Sequence, residues 1–145
     1  MKKILAVLAV ASVQMAFADH DVVTRDESRL PVAARETIKK NFPDAKISYI
    51  KIEKDFFQSA NYETTLTNGM EIDFNSKGDW IEVDCKRQAV PAGFIPATVK
   101  EYVETNFPTV LIVKIERGRK GYSIEMNNGL DADFDTAGMF LRLDD

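Results

Sequence analysis

The sequence predicts an α+β fold in which two tandem αββββ repeats build one antiparallel sheet with both helices packed on a single face. Three observations carry this reading. The chain states one pattern twice: Leu30-Pro31, Asn41-Phe42-Pro43, Lys51-Ile52-Glu53, Tyr62, Asn68-Gly69, Asp73-Phe74, Gly78, Trp80 and Asp84 recur as Ile95-Pro96, Asn106-Phe107-Pro108, Lys114-Ile115-Glu116, Tyr122, Asn128-Gly129, Asp133-Phe134, Gly138, Phe140 and Asp144. The offset is 65 residues at the start, 63 at the Lys-Ile-Glu triplet and 60 from the tyrosine onward, so the match is a register that shortens in loops. Within each copy a helical apolar period gives way to alternation of period two. Every connection after the helix is short, as an antiparallel meander requires.

Each helix opens at a Leu/Ile-Pro pair, where a first-turn proline loses no hydrogen bond. Leu30, Ala34, Ile38 and Phe42 form one apolar stripe, and Pro43 stops the helix. Val99, Val103 and Phe107, widened by Tyr102, repeat the stripe before Pro108. Strands are expected over residues 46–53, 61–67, 70–75 and 80–85, and again over 110–116, 121–127, 130–135 and 139–143. Asn68-Gly69 and Asn128-Gly129 read as type I′ hairpin turns, with Ser76-Lys77-Gly78-Asp79 and Thr136-Ala137-Gly138 as the next ones. The boundaries that follow are a signal peptide at 1–18, a flexible segment at 19–29, repeat one at 30–86, a linker at 87–94 and repeat two at 95–145.

Alternation assigns the two sheet faces. Tyr62, Thr64, Leu66, Met70, Ile72, Phe74, Ile81 and Val83, with their counterparts up to Leu141 and Leu143, are expected to face the helices. Glu63, Glu71, Asp73, Glu82, Asp84 and their counterparts face water. Trp80, Phe140 and Tyr49 share parity with these acids, so they are expected as aromatic anchors on an uncovered face. The loop after the first strand of each copy differs most. Asp55-Phe56-Phe57-Gln58 is aromatic, whereas Arg117-Gly118-Arg119-Lys120-Gly121 is basic, and such asymmetry is a place for specificity.

The amino terminus reads as an export signal. Lys2 and Lys3 precede an apolar run over residues 4–13, and Ala16-Phe17-Ala18 is a small-x-small cleavage site. The run is too short to span a bilayer. Cleavage would remove two lysines and no acid, taking the formal charge from −4 to −6. An acidic exported chain argues against nucleic acid and anionic membranes as partners and for a periplasmic or secreted location.

Reaction chemistry is sparse. Cys85 is the sole cysteine, read as a small buried hydrophobe rather than a reactive thiol. His20, the sole histidine, lies beside the cleavage point, so nucleophile–histidine pairs are not expected. Asp131, Asp133 and Asp135 invite a calcium reading, but an EF-hand loop starting at Asp131 would need glycine and glutamate where Thr136 and Arg142 stand. The sequence therefore predicts a non-enzyme with no cofactor, calcium at those three aspartates being the weak exception.

Taken together, the Leu/Ile-Pro helix, the Asn-Phe-Pro stop, the Tyr…Asn-Gly hairpin and the Phe…Gly…Trp/Phe ending resemble the PepSY-like, β-lactamase-inhibitor-protein-like periplasmic family, from Leu30 to the last residue. The resemblance implies a curved sheet with helices on its convex side, and a concave face and loops that grip a protein or peptide of the cell envelope. It implies partner-binding roles for Trp80 and Phe140, with Tyr49 on the same face. Phe56 and Phe57 are loop candidates outside the family pattern. Some members are calcium-regulated, which makes a calcium-responsive envelope protein the alternative expectation.

Overall fold

The computed structural model describes residues 21–54 and 59–145. Its elements run β1 (Asp21–Thr24), α1 (Val32–Asn41), β2 (Ile47–Lys54), β3 (Ala60–Leu66), β4 (Glu71–Phe74), β5 (Trp80–Asp84), α2 (Ala97–Asn106), β6 (Ile112–Gly118), β7 (Gly121–Met126), β8 (Asp131–Phe134) and β9 (Phe140–Asp144). Short 3-10 turns at Glu27–Arg29 and Ala92–Phe94 precede the helices. All nine strands form one sheet in chain order, and every neighbouring pair is antiparallel.

The helices start and stop for local reasons. Pro31 and Pro96 stand just ahead of the first helical residue, at φ −52° and −56°. At the other end, the Asn41 and Asn106 amides fold back to donate to the carbonyls of Thr37 and Tyr102, each at 2.9 Å. Phe42 and Phe107 then leave helical geometry ahead of the prolines.

Four hairpins share one construction, which differs from the expected type I′ turn. At the first, the Gly69 N–H donates to the Leu66 carbonyl and the Leu66 N–H to the Met70 carbonyl, closing a three-residue loop. Gly69, Gly78, Gly129 and Gly138 take φ between 78° and 86°, whereas Asn68 and Asn128 do not have positive φ. Each loop is thus a tight turn followed by a left-handed glycine that forms a bulge. A Cβ on Gly78 would meet the Pro31 Cβ at 2.7 Å, so the turn also lies against the start of α1.

Both helices bury their stripes in one hydrophobic cluster. Ala34, Ile38, Val99 and Val103 pack with Ile50, Leu66, Ile72, Phe74, Val83, Ile115, Ile124 and Phe134. Full burial of each large side chain stabilises the fold by about 1.5–3 kcal/mol. The linker joins this core: Phe94 is buried and packs against Phe42 and Trp80, with ring centroids 5.8 Å and 5.4 Å apart.

Two expectations fail at the level of elements. Residues 19–29 were expected to be flexible, yet Asp21–Thr24 pair with Ile50–Glu53 and complete a ninth strand, with Val22 packed on the core. The expected constant alternation along β5 and β9 is broken by bulges. Asp73 pairs with Glu82 but Phe74 pairs with Trp80, and Asp133 pairs with Arg142 but Phe134 with Phe140. Ile81 and Leu141 are the extra residues, so the side chains before each bulge change face. Trp80 therefore joins the helix side, 9% exposed beside Phe94, rather than standing on the uncovered face.

Candidate functional site

With the helices on one side, the opposite sheet face is built from cross-strand rows. One row runs Lys51, Glu63, Asp73, Glu82, Glu116, Ser123, Asp133 and Arg142 across β2 to β9. The adjacent row runs Tyr49, Thr65, Glu71, Asp84, Lys114, Glu125, Asp131 and Asp144. Carboxylates outnumber cations in both, and each cation bridges several acids. Lys114 reaches Glu82 and Glu116, both at 3.0 Å, and Arg142 reaches Asp133 at 2.7 Å and Asp144 at 3.2 Å. Lys86 joins Glu71 at 2.9 Å to Asp84 at 3.0 Å, and Lys51 bonds Glu53.

The electrostatics follow from this crowding. Burial, with Glu82, Glu63 and Glu71 alongside, pushes the Asp73 carboxyl up to about 7, against a smaller opposing pull from Lys114. Burial would lower the Lys114 ammonium, but its hydrogen bonds to Glu116 and Glu82 hold it above the usual lysine range. A hydrogen bond from Ser123, with Arg142 beside it, keeps the Asp133 carboxyl below the usual range.

At the β6–β7 end this face deepens into a groove of about 840 Å³. Ile81 and Leu141 supply its apolar surface, Glu82, Glu116 and Asp133 its acids, and Arg117, Arg119, Lys120 and Arg142 its cations. The basic hairpin is a tight turn at Arg119-Lys120 between β6 and β7. Arg117 is fixed against Trp80. Its Nε donates to the Trp80 carbonyl at 2.6 Å, and its guanidinium lies 4.0 Å from the centroid of the indole ring.

The aromatic candidates separate. Tyr49 stands on the uncovered face, 42% exposed and opposite Thr65. Trp80 is in the core. Phe140, 40% exposed, stacks on Tyr102 of α2 at 4.3 Å with the rings nearly parallel, so it too belongs to the helix side. Phe56 and Phe57 lie outside the described residues. Ile81 and Leu141 are the residues that alternation missed. Their signal was present as two adjacent apolar residues, Trp80-Ile81 and Phe140-Leu141, at the start of otherwise alternating strands.

Cys85 is buried, and that burial pushes its thiol up to about 11, which agrees with the inert reading. The Asp131, Asp133 and Asp135 carboxylates do not converge as a calcium site would require. Asp133 holds Arg142, and the Asp135 Oδ1 instead accepts the backbone N–H groups of Ala137 and Met139 in the last turn. Among the described residues no three acidic, histidine or cysteine side chains gather as a metal cage, and no helix is long and apolar enough to cross a membrane.

The sequence matches one family model, described as "putative beta-lactamase-inhibitor-like, PepSY-like", over residues 16–59 and 60–142. No curated protein matches the chain. A solved structure from Bacteroides vulgatus, described as a "putative periplasmic protein of unknown function", is 54% identical, with a TM-score of 0.83 over 86% of this chain and 99% of that one. A second "putative periplasmic protein" from the same organism is 37% identical, with a TM-score of 0.81 over 88% and 99%. A "putative calcium-regulated periplasmic protein" from Bacteroides thetaiotaomicron is 38% identical, with a TM-score of 0.82 over 88% and 99%. These relatives support a periplasmic location; the export signal expected at residues 1–18 lies outside the described residues.

Proposed function

The chain belongs to the PepSY-like family, and from that premise we propose that it is a non-catalytic, inhibitor-like periplasmic module that binds a protein or peptide of the cell envelope with the uncovered face of its sheet. The observation that carries the reading is the composition of that face. Tyr49, Ile81 and Leu141 offer apolar contact beside fixed ion pairs, and the groove ends at a basic hairpin. Apolar anchors ringed by oriented charges are how protein interfaces combine affinity with register. The acidic rows favour a partner segment rich in Lys or Arg, while Arg119 and Lys120 favour a carboxylate at the groove end. Among the described residues, buried Cys85 and the ion-paired Glu82, Glu116 and Asp133 offer no activated nucleophile, which supports a role without catalysis.

Capture from a periplasmic extract by the immobilised mature chain tests this. Tyr49→Ala combined with Leu141→Asp is expected to lower capture about ten-fold or more with the melting temperature nearly unchanged. Phe56→Ala with Phe57→Ala forms a separate arm for the aromatic pair expected from the sequence. Capture that neither pair weakens sinks the proposal.

A further inference from the structure

We propose that the outer edge of β9 is a dimerisation edge, which pairs antiparallel with β9 of a second copy about a two-fold axis through Leu143. The repeat itself supplies the template. β5 and β9 are equivalent strands, and the outer edge of β5 is taken by β6 in the register Glu82↔Glu116, Val83↔Ile115 and Asp84↔Lys114. On the helix side this sets Val83 against Ile115, both fully buried. On the other side it sets an aspartate opposite a lysine.

β9 has no such neighbour among the described residues, where it pairs with β8 alone. The consequence appears in exposure. Leu143 is 40% exposed where its equivalent Val83 is 0%, and Phe140 is 40% exposed where Trp80 is 9%. Met139 and Leu141 are each 59% exposed. A strand edge with this much apolar surface is a template for pairing.

By the β5 template, an incoming strand must run antiparallel, place an apolar residue opposite Leu143 and place a cation opposite Asp144. β9 meets all three conditions itself. An axis through Leu143 sets Leu143 against the partner's Leu143 and sets Arg142 opposite the partner's Asp144, twice. Arg142 already holds Asp133 and its own Asp144, and its five donors can serve a further carboxylate. Moving the axis to Arg142 would oppose two guanidinium groups and set Leu143 against Leu141, which lies on the other face. The sheet's other edge among the described residues, β1, is a poorer occupant. β1 and β9 run in the same direction, so with matching faces a second copy's β1 could join β9 only in parallel, and the contact would propagate instead of closing.

Sedimentation equilibrium of the mature chain from about 10 μM to about 1 mM tests the proposal, because a short strand edge gives weak association. The wild type is expected to dimerise within that range. Asp144→Arg opposes two arginines and Arg142→Asp opposes two aspartates, so each variant alone is expected to stay monomeric. An equimolar mixture restores both opposite-charge pairs and is expected to dimerise again. A wild type monomeric throughout, a dimer insensitive to both substitutions, or folded variants that do not rescue each other would overturn the proposal. A second measurement is independent of charge. Leu143→Cys places two thiols across the axis within disulfide reach, whereas Val23→Cys on β1 does not. Mild oxidation is expected to cross-link only the first, and equal cross-linking or none from both overturns the proposal.

Discussion

Thr64 stands where the second repeat has Ile124, between Ile50 and Ile72 across the sheet. It is fully buried, and its hydroxyl has no hydrogen-bond partner among the described residues. A buried unpaired hydroxyl costs about 1–3 kcal/mol in desolvation. Thr64→Val keeps the branched shape and removes the orphan, so it is expected to stabilise the fold by about 1 kcal/mol in urea unfolding. A loss of stability would show that the hydroxyl is satisfied in solution. Asp73 makes the opposite kind of demand, since it lies directly between Glu63 and Glu82 on the uncovered face. Its folded value of about 7 lies above the ordinary 3.8, so the native state holds this proton more tightly than the unfolded chain does. The resulting stabilisation is complete below about pH 4 and is lost as pH rises through 7. Between pH 8 and pH 5 the wild type should therefore gain stability, about 1 kcal/mol from this group after discounting for solvent screening. Asp73→Asn should lack that part of the gain and be more stable than wild type at pH 8. Parallel thermal melts of the two proteins at both pH values check it, and identical pH dependence would remove Asp73 as the cause.

The elements that rest on local chemistry were legible in the sequence, and those set by long-range pairing were not. Proline fixes a backbone angle wherever it occurs, so both helix ends could be read from Pro31, Pro43, Pro96 and Pro108. Glycine marks the hairpins as reliably, although Asn-Gly alone does not distinguish a two-residue turn from the three-residue loop that forms here. β1 was missed because Asp21–Thr24 carries two valines and no turn signal, and its strand character comes from the edge of β2 that it covers. The bulges had the largest consequence. A single extra residue in β5 and in β9 moved Trp80 and Phe140 to the helix side and gave Ile81 and Leu141 to the other. Of the five residues first expected at the site, Tyr49 alone is described on the uncovered face. The acidic rows were legible, because their strands keep strict alternation between the bulges.

At the scale of the whole molecule, the two repeats share both a sheet and a core. β5 and β6 join them edge to edge, and Phe94 of the linker packs on Phe42 and Trp80 of the first repeat. Val90, also in the linker, is buried in the same cluster. Solenoid repeats are coupled by nearest-neighbour interfaces and can unfold in stages when those interfaces are weak. Here the seam includes the fully buried Val83 and Ile115, so opening one repeat would expose the centre of the shared core. Each repeat alone is also small enough to be marginal, because a chain of its size buries a smaller share of its surface than the whole does. Differential scanning calorimetry of residues 19–145 should therefore show one transition, with calorimetric and van't Hoff enthalpies equal. Phe94→Ala should lower the stability by about 3–5 kcal/mol and move that single transition without splitting it. A fragment of residues 95–145 should show no cooperative melt. Two resolved transitions, or a fragment that melts cooperatively, would mean that the seam couples the repeats only weakly, and that the linker's place in the core is not what holds them together.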